Sequence, residues 1–448
     1  MQMRYFQGLK VVDLSMVWVG PVVGRMLSDL GANVIKVERP GDPDSVRTAF
    51  VAHNDTSGDY WNRSPYFTVR NAGKRGIVLD LRQEEGRALL WRLLEDADVL
   101  LENFTTGAIA RLGFGFEEVH RRFPRIVMMS INGYGQDGPN CGRPAVGMSL
   151  EPASGVASVT GYSPDTPIKN GQTWVDPYSG LHAMGALLAA LVYRERSGRG
   201  QYVALAMQEA AVPLMAEFTA DYYLNGRVAR PRGARRPGMV RGTYPSRGNE
   251  EFVAISMRNE AQWQAFCRAT GHEALLADPR FATADSRYEH HDALDALIAE
   301  WTRQRTKFEA TELLQAAGVP AGPVLKADEV FRHPQLRARE FFDPLDVPGV
   351  GPVPIQRYVA PKVDGEGFPG KGPAPKLGQH TDEVLAELGL SASEITALRE
   401  KGVLGGEPEA LMAELRRKGS TLPFDKYIEQ GSILRMDPHF RDVVQAPR

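Results

Sequence analysis

Short apolar runs alternate with amphipathic segments over the first 210 residues. Leu9–Leu14 reads as a strand, followed by a Gly-Pro turn and a helix from about Pro21 to Leu30. Asn33–Glu38 and Gly76–Leu81 are the next strands. A helix from Gln83 to Asp96 precedes the strand Val99–Glu102. A helix opening near Glu117 leads to the strand Ile126–Ile131, and Gln201–Met207 forms another after the turn Ser197–Gly200. This strand–helix alternation predicts an α/β fold, a parallel sheet covered by helices.

The pattern changes near residue 226. Residues 227–248 carry seven arginines among glycines and prolines, an irregular basic stretch. Glu251–Ser256 then reads as a strand, with polar-faced helices at about 260–269, 292–303 and 307–317. The boundaries this sets are a large α/β domain over 1–225, a smaller α+β domain over 226–330, a return to the large domain over 331–404, and a peripheral tail over 405–448. From Val324 onward strand and loop are expected. Pro369–Pro375 reads as a flexible link to a helix opened by Thr381, Asp382 and Glu383.

Composition narrows the class. At 448 residues the chain exceeds one ordinary core. Hydrophobic content of 43% and charged content of 24% are those of a globular protein. A formal net charge of -2 gives no reason to expect nucleic acid or an anionic membrane surface. Cys141 and Cys267 form no ligand pair, which predicts a reducing, cytoplasmic setting without disulfides. Met1–Gln7 has no apolar core of a secretory leader, and the run Ala183–Tyr193 is too short to span a bilayer.

One segment concentrates the chemistry. Trp174–Leu191 places a carboxylate, Asp176, at the mouth of a helix expected from about Leu181 to Arg194. Small and aliphatic residues on every face predict that this helix is buried. Asp176 is either a helix cap or a carboxylate nucleophile at the edge of a dry pocket. His182, in the same helix, reads as a satisfied core histidine. A literal GxGxxG runs from Gly133 to Gly138, but Pro139–Pro144 cannot open the helix that a dinucleotide fingerprint needs. It reads instead as a crevice loop at a strand's C-terminal end. His290 and His291 are adjacent and read as a solvated helix; no metal signature appears.

Read as an ordered set, several segments are similar to the class III CoA-transferases, the family of formyl-CoA transferase and carnitine CoA-transferase. They are Gly8–Leu14, Val19–Pro21, Leu30–Asp42, Asn71–Arg75, Leu79–Arg82, Glu102–Phe104, Arg111–Gly113, Gly133–Pro139, the Asp176 helix and Leu377–Leu385. The resemblance spans residues 8–403. It implies a large parallel-sheet (Rossmann-like) domain built from both chain ends, a smaller inserted domain, and an interlocked homodimer. It makes Asp176 the nucleophile that takes CoA from an acyl-CoA donor to a free carboxylic acid, through mixed-anhydride and aspartyl-CoA thioester intermediates. Coenzyme A enters as substrate, and no cofactor is held tightly. Its contacts fall on Arg39, Leu79, Arg82, Asn103, Phe104, Ala108 and Arg111. The acyl-side loops are Trp18, Val19, Asn132, Gly133 and Tyr134.

The chain also departs from formyl-CoA transferase. Trp18 stands where that enzyme has Gln, which argues against a formyl or oxalyl substrate. Asn132 stands where it has Lys. Its tetraglycine lid is replaced by Arg235–Pro245, and the arginines of 235–247 point to a carboxylate-bearing acceptor, dicarboxylic or aromatic. Two alternatives share the resemblance. An α-methylacyl-CoA racemase would carry a His where this chain has Val146, which cannot shuttle a proton. A non-catalytic subunit of a heteromeric transferase would have lost the nucleophile, whereas Asp176 is present.

Overall fold

In the computed structural model, residues 5–49, 51, 55–347, 350–405, 424–431, 433–440 and 442 are described. The apolar runs of the first 210 residues pair as one all-parallel sheet. In chain order come β1 (Lys10–Asp13), α1 (Val19–Asp29), β2 (Asn33–Glu38), α2 (Pro65–Asn71), β3 (Arg75–Val78), α3 (Glu84–Leu94) and β4 (Val99–Glu102). There follow α4 (Ala108–Arg111), α5 (Phe116–Arg122), β5 (Val127–Asn132), α6 (Gly147–Ala153), α7 (Val156–Val159) and the hairpin β6 (Gly161–Ser163) and β7 (Thr166–Pro167). Helix α8 (Val175–Ser197), β8 (Tyr202–Ala206) and α9 (Met207–Ala211) complete this half.

The sheet order is β3-β2-β1-β4-β5-β8. Strands β1 to β5 are almost wholly buried, because helices cover both faces. One core layer joins Val11, Leu101, Met129 and Ile131 to α1 and α8; the other joins Val12, Leu100 and Met128 to α3 and to Val384 and Leu385. The strand order reverses between β1 and β4. In open parallel sheets, ligands bind beyond the strand C-termini at such a reversal.

The chain divides into two compact units. The larger comprises residues 1–154, 171–215 and 331–448; the smaller comprises 155–170 and 216–330. The main segment of the smaller unit therefore begins ten residues before the expected 226, and the unit also takes in the β6–β7 hairpin. It contains α10 (Ala216–Asn225), an antiparallel sheet of β9 (Val240–Pro245), β10 (Phe252–Met257) and β11 (Ala321–Pro323), and α11 (Glu260–Thr270), α12 (Ala284–Glu289), α13 (His291–Arg303) and α14 (Lys307–Ala316). Its core gathers Trp263, Phe266, Trp301 and Ile255.

Several expectations need correction. The basic stretch is not irregular throughout, because Val240 and Tyr244 turn inward and carry β9 through it. Beyond Val324 the chain forms two short helices, Ala327–Arg332 and Pro334–Ala338, before the hairpin β12 (Phe342–Val347) and β13 (Gly351–Gln356). His291 is buried, with Nδ1 2.9 Å from Asp295, while its neighbour His290 is exposed. Much of the expected tail, including 406–423 and 443–448, lies outside the described residues.

Helix α8 differs most. It starts at Val175, six residues early, since Pro177 falls in the first turn, where its missing N–H is no loss. It stops at Gly198, whose φ of 74° suits glycine. Only one side is buried; Leu181, Leu188, Val192 and Tyr193 are exposed. His182 lies on the exposed side as well, against the Tyr178 ring at 4.8 Å, and is no core histidine.

Candidate active site

The loop leaving β1 is fixed by buried polar groups. Met16 exchanges two hydrogen bonds with the Asn103 side chain, both 2.8 Å. Val17 has φ +69°, a strained conformation for a β-branched residue, and its N–H donates to Asp44 at 3.0 Å. Lys36, wholly buried, pairs with Asp44 at 3.1 Å and donates to the Ser15 carbonyl at 2.6 Å. Burial opposes the Lys36 charge, but Asp44, Asp13 and Glu38 outweigh it and hold its pKa above the usual value. Lys74, bonded to Asp13 at 2.7 Å, is taken by burial down to about 8.

This loop delivers Trp18 to a cavity of about 330 Å³ that also has Val19, Tyr66, Asn103, Phe104, Asn132, Gly133, Val146 and Asp176 in its walls. Asp176 is the second residue of α8, where the helix dipole favours an anion. It is only 8% exposed. Burial pushes its pKa up to about 6 from 3.8, against the lowering field of Arg70 and a bond from its own backbone. Gly147, at the start of α6, makes this possible. A Cβ there would lie 1.8 Å from Asp176 Oδ2 and 2.2 Å from Thr173 Cγ2. Only a bare backbone fits against the carboxylate.

A second cavity, of about 280 Å³, is lined by Leu14, Val37, Arg39, Leu79, Arg82 and Phe104, among others. Arg39 bonds Asp42 at 3.0 Å, and Arg82 grips Asp80 with two bonds of 2.8 and 2.9 Å. That grip takes the Asp80 carboxyl down to about 2. Phe104 lines both cavities. Its N–H donates to Glu102 at 2.7 Å, and Ser130 donates to the same buried carboxylate. Burial pushes the Glu102 pKa up.

The residues singled out from the sequence therefore fall into groups. Asp176, Trp18, Val19, Asn103, Phe104, Asn132 and Gly133 meet around one cavity; Arg39, Leu79 and Arg82 join Phe104 at the other. Asn103 and Asn132 spend their amides on backbone and Thr106: Asn132 accepts from Gly135 N at 2.7 Å and donates to Thr106 Oγ1 at 2.9 Å. Tyr134 packs against the core, and Ala108 and Arg111, on α4, line neither cavity. Arg235, Arg236 and Arg247 pair with Asp292, Glu217 and Glu309 inside the smaller unit. Sequence reasoning passed over Arg70, Tyr66, Asp44 and Gly147. Of these, only Gly147 carried a signal, as a glycine at the start of a helix.

The family model for CoA-transferase family III matches residues 6–381. The chain belongs to that family. It is 34% identical to an acyl-CoA transferase of Fusarium pseudograminearum, over 89% of this chain and 88% of the relative. It is 33% identical to a succinyl-CoA–D-citramalate CoA-transferase of Chloroflexus aurantiacus, over 90% and 98%. Among solved structures, a CAIB/BAIF family protein from Brucella suis superposes with a TM-score of 0.78 at 32% identity, covering 86% of this chain and all of that one. The protein is thus an enzyme of a family that uses CoA thioesters. Among the described residues, no cluster of His, Cys, Asp or Glu could hold a metal ion, and no helix is long and apolar enough to cross a membrane.

Two outcomes test this geometry. Gly147→Ala should lower stability by about 1–3 kcal/mol through overpacking, read by urea unfolding, and should displace the carboxylate. Asp176→Asn tests the burial. The folded Asp176 holds its proton to about pH 6, the unfolded one only to about 3.8, so its contribution to stability is lost as pH rises between them. The neutral isostere escapes this loss. Its stability relative to wild type should climb by about 3 kcal/mol between pH 4 and 6 and then level off. A pH-independent difference between the two proteins would contradict a buried, ionised Asp176.

Proposed function

We propose that the protein is an acyl-CoA:carboxylate CoA-transferase with Asp176 as nucleophile. The observation that carries this is a nearly buried carboxylate, seated against bare backbone, in a cavity that shares Phe104 with an arginine-flanked one. CoA lies with its phosphates towards Arg39 and Arg82 and its adenine bordered by Leu79 and Phe104, so that the thioester reaches Asp176. An Asp176 oxygen attacks the thioester carbonyl; the C–S bond breaks, leaving a mixed anhydride and CoA thiolate. The thiolate attacks the aspartyl carbonyl and expels the donor's carboxylate, giving the aspartyl-CoA thioester. The acceptor carboxylate then attacks that thioester, and the returning thiolate takes the acceptor acyl group and frees Asp176. Exclusion of water protects both anhydrides.

The relative named for succinyl-CoA and D-citramalate supports succinyl-CoA as the first donor to try, with dicarboxylic acids as acceptors. Val146, in the cavity wall beside Asp176, offers no second acid or base, which disfavours racemisation.

The exposed apolar residues of α8 support a homodimer. Leu181, Leu188 and Val192 recur at helical spacing on one side of the helix that starts with the nucleophile. The partner that fits is a second copy of this chain.

Incubation with a donor acyl-CoA followed by hydroxylamine should leave a hydroxamate on Asp176, detected by peptide mass spectrometry. Asp176→Ala should lower CoA transfer by at least a thousandfold, on the order of losing a covalent nucleophile. Retained transfer in that variant would overturn the mechanism. Substituting Leu181→Glu together with Val192→Glu should halve the mass in light scattering; an unchanged mass places the interface elsewhere.

A further inference from the structure

A buried cation behind the Asp176 cavity has no ion-pair partner among the described residues. Arg70, on α2, is only 3% exposed. Its guanidinium lies between two aromatic faces, 4.0 Å from the Trp18 ring and 3.7 Å from the Tyr66 ring. Nη1 donates to the Tyr66 carbonyl at 2.6 Å, whereas Nε is buried without a hydrogen-bond partner. Among the described residues, no carboxylate is within ion-pair distance of it. A desolvated charge kept like this is expensive, and packing alone would be served by an apolar side chain. Both rings that clamp it form walls of the cavity holding Asp176.

We propose that Arg70 is a positioning residue for CoA transfer, its ring-clamped charge keeping Asp176 an ionised nucleophile in a site dry enough to protect an anhydride. A contact ion pair would tie up the oxygen that must attack. A cation held away from it acts through its field alone and leaves the lone pairs free. The role rests on the transferase reading above.

Tyr66 belongs to the same helix as Arg70, and Tyr358 comes from the segment after β13. Burial lowers the Arg70 pKa, against the raising fields of the carboxylates Asp176 and Asp44. Two cations also pack against this helix: Arg25 of α1 donates to the Val69 carbonyl at 3.3 Å, and Arg47 lies over the Phe67 ring at 3.5 Å. Around α8, Arg25 and Asp29 of α1 bond each other, α6 brings Glu151, α9 brings Glu209, β8 brings Tyr202, and His182 lies further along α8 itself. Of all these, Arg70 is the charged group whose field reaches Asp176. Burial lifts that carboxyl to about 6, and Arg70 works against the rise. Without Arg70 the proton is held to higher pH and the nucleophile is lost near neutrality.

The test is direct titration of Asp176 in the full chain by infrared difference spectroscopy, with Asp176→Asn assigning the carboxyl band. Wild type should titrate near pH 6. Arg70→Met should move the midpoint up by one pH unit or more, a tenfold loss of ionised carboxylate below it. Arg70→Lys should stay near wild type. Arg70→Gln, neutral but able to donate to the Tyr66 carbonyl, replaces the Met variant if that one fails to fold. A midpoint unchanged in the neutral variants overturns the proposal. The acid limb of kcat/KM for CoA transfer should move with the midpoint, activity returning at high pH; a loss equal at every pH overturns it too. If wild type transfers no CoA, the transferase reading falls, and the infrared midpoints still decide whether Arg70 sets the charge of Asp176.

Discussion

The whole site depends on a four-residue loop that would not hold its shape alone. Ser15 to Trp18 leave β1 at the strand-order reversal, and Val17 sits in a backbone region that β-branched residues avoid. The compensation is buried polar bonding. Lys36 holds the Ser15 carbonyl, Asn103 holds both polar groups of Met16, and Asp44 holds the Val17 amide. Lys36 and Asp44 also pair with each other, so removing either leaves an unmatched buried charge. Because these bonds tie β1, β2 and β4 together, Trp18 becomes a fixed wall.

From that wall the electrostatics of Asp176 follow. Trp18 and Tyr66 clamp Arg70, and Arg70 is the cation whose field reaches Asp176. Two opposed requirements meet at the carboxylate. In the proposed transfer, dryness would guard the acyl intermediates but lifts the Asp176 pKa, while attack at neutral pH would need the charge. A value near 6 is the balance. Had Arg70 formed a contact pair, the carboxylate would have been more acidic and a poorer nucleophile. The missing side chain at Gly147 belongs to the same balance, since it lets backbone shield the carboxylate without displacing it.

The parallel sheet was legible because each buried strand is an apolar run of the right length between turn residues; Asn33–Glu38 and Val99–Glu102 match to the residue. Asp176 was legible as an acidic group at the start of an apolar helix. The side of α8 left exposed was not. Apolar residues cover the whole helix, and periodicity cannot tell a surface that meets the core from one that another chain would cover. β9 was hidden by the arginines flanking its two inward residues, and His291 by a neighbour of the same type that faces solvent. Arg70, Asp44 and Tyr66 were invisible for a deeper reason. Their roles arise from contacts between elements far apart in sequence, and nothing local distinguishes a clamped arginine from a solvated one.

The exit of β4 shows how one short segment serves both cavities. Glu102, Asn103 and Phe104 are consecutive, and each does a different job. Glu102 accepts the Phe104 N–H and fixes the backbone. Asn103 turns to the β1 loop and sets the wall on the Asp176 side. Phe104 lies between, its surface shared by the arginine-flanked cavity and the cavity of the carboxylate. Any change that moves Phe104 therefore alters both cavities together. Glu102, buried and held by Ser130, is what keeps that coupling rigid.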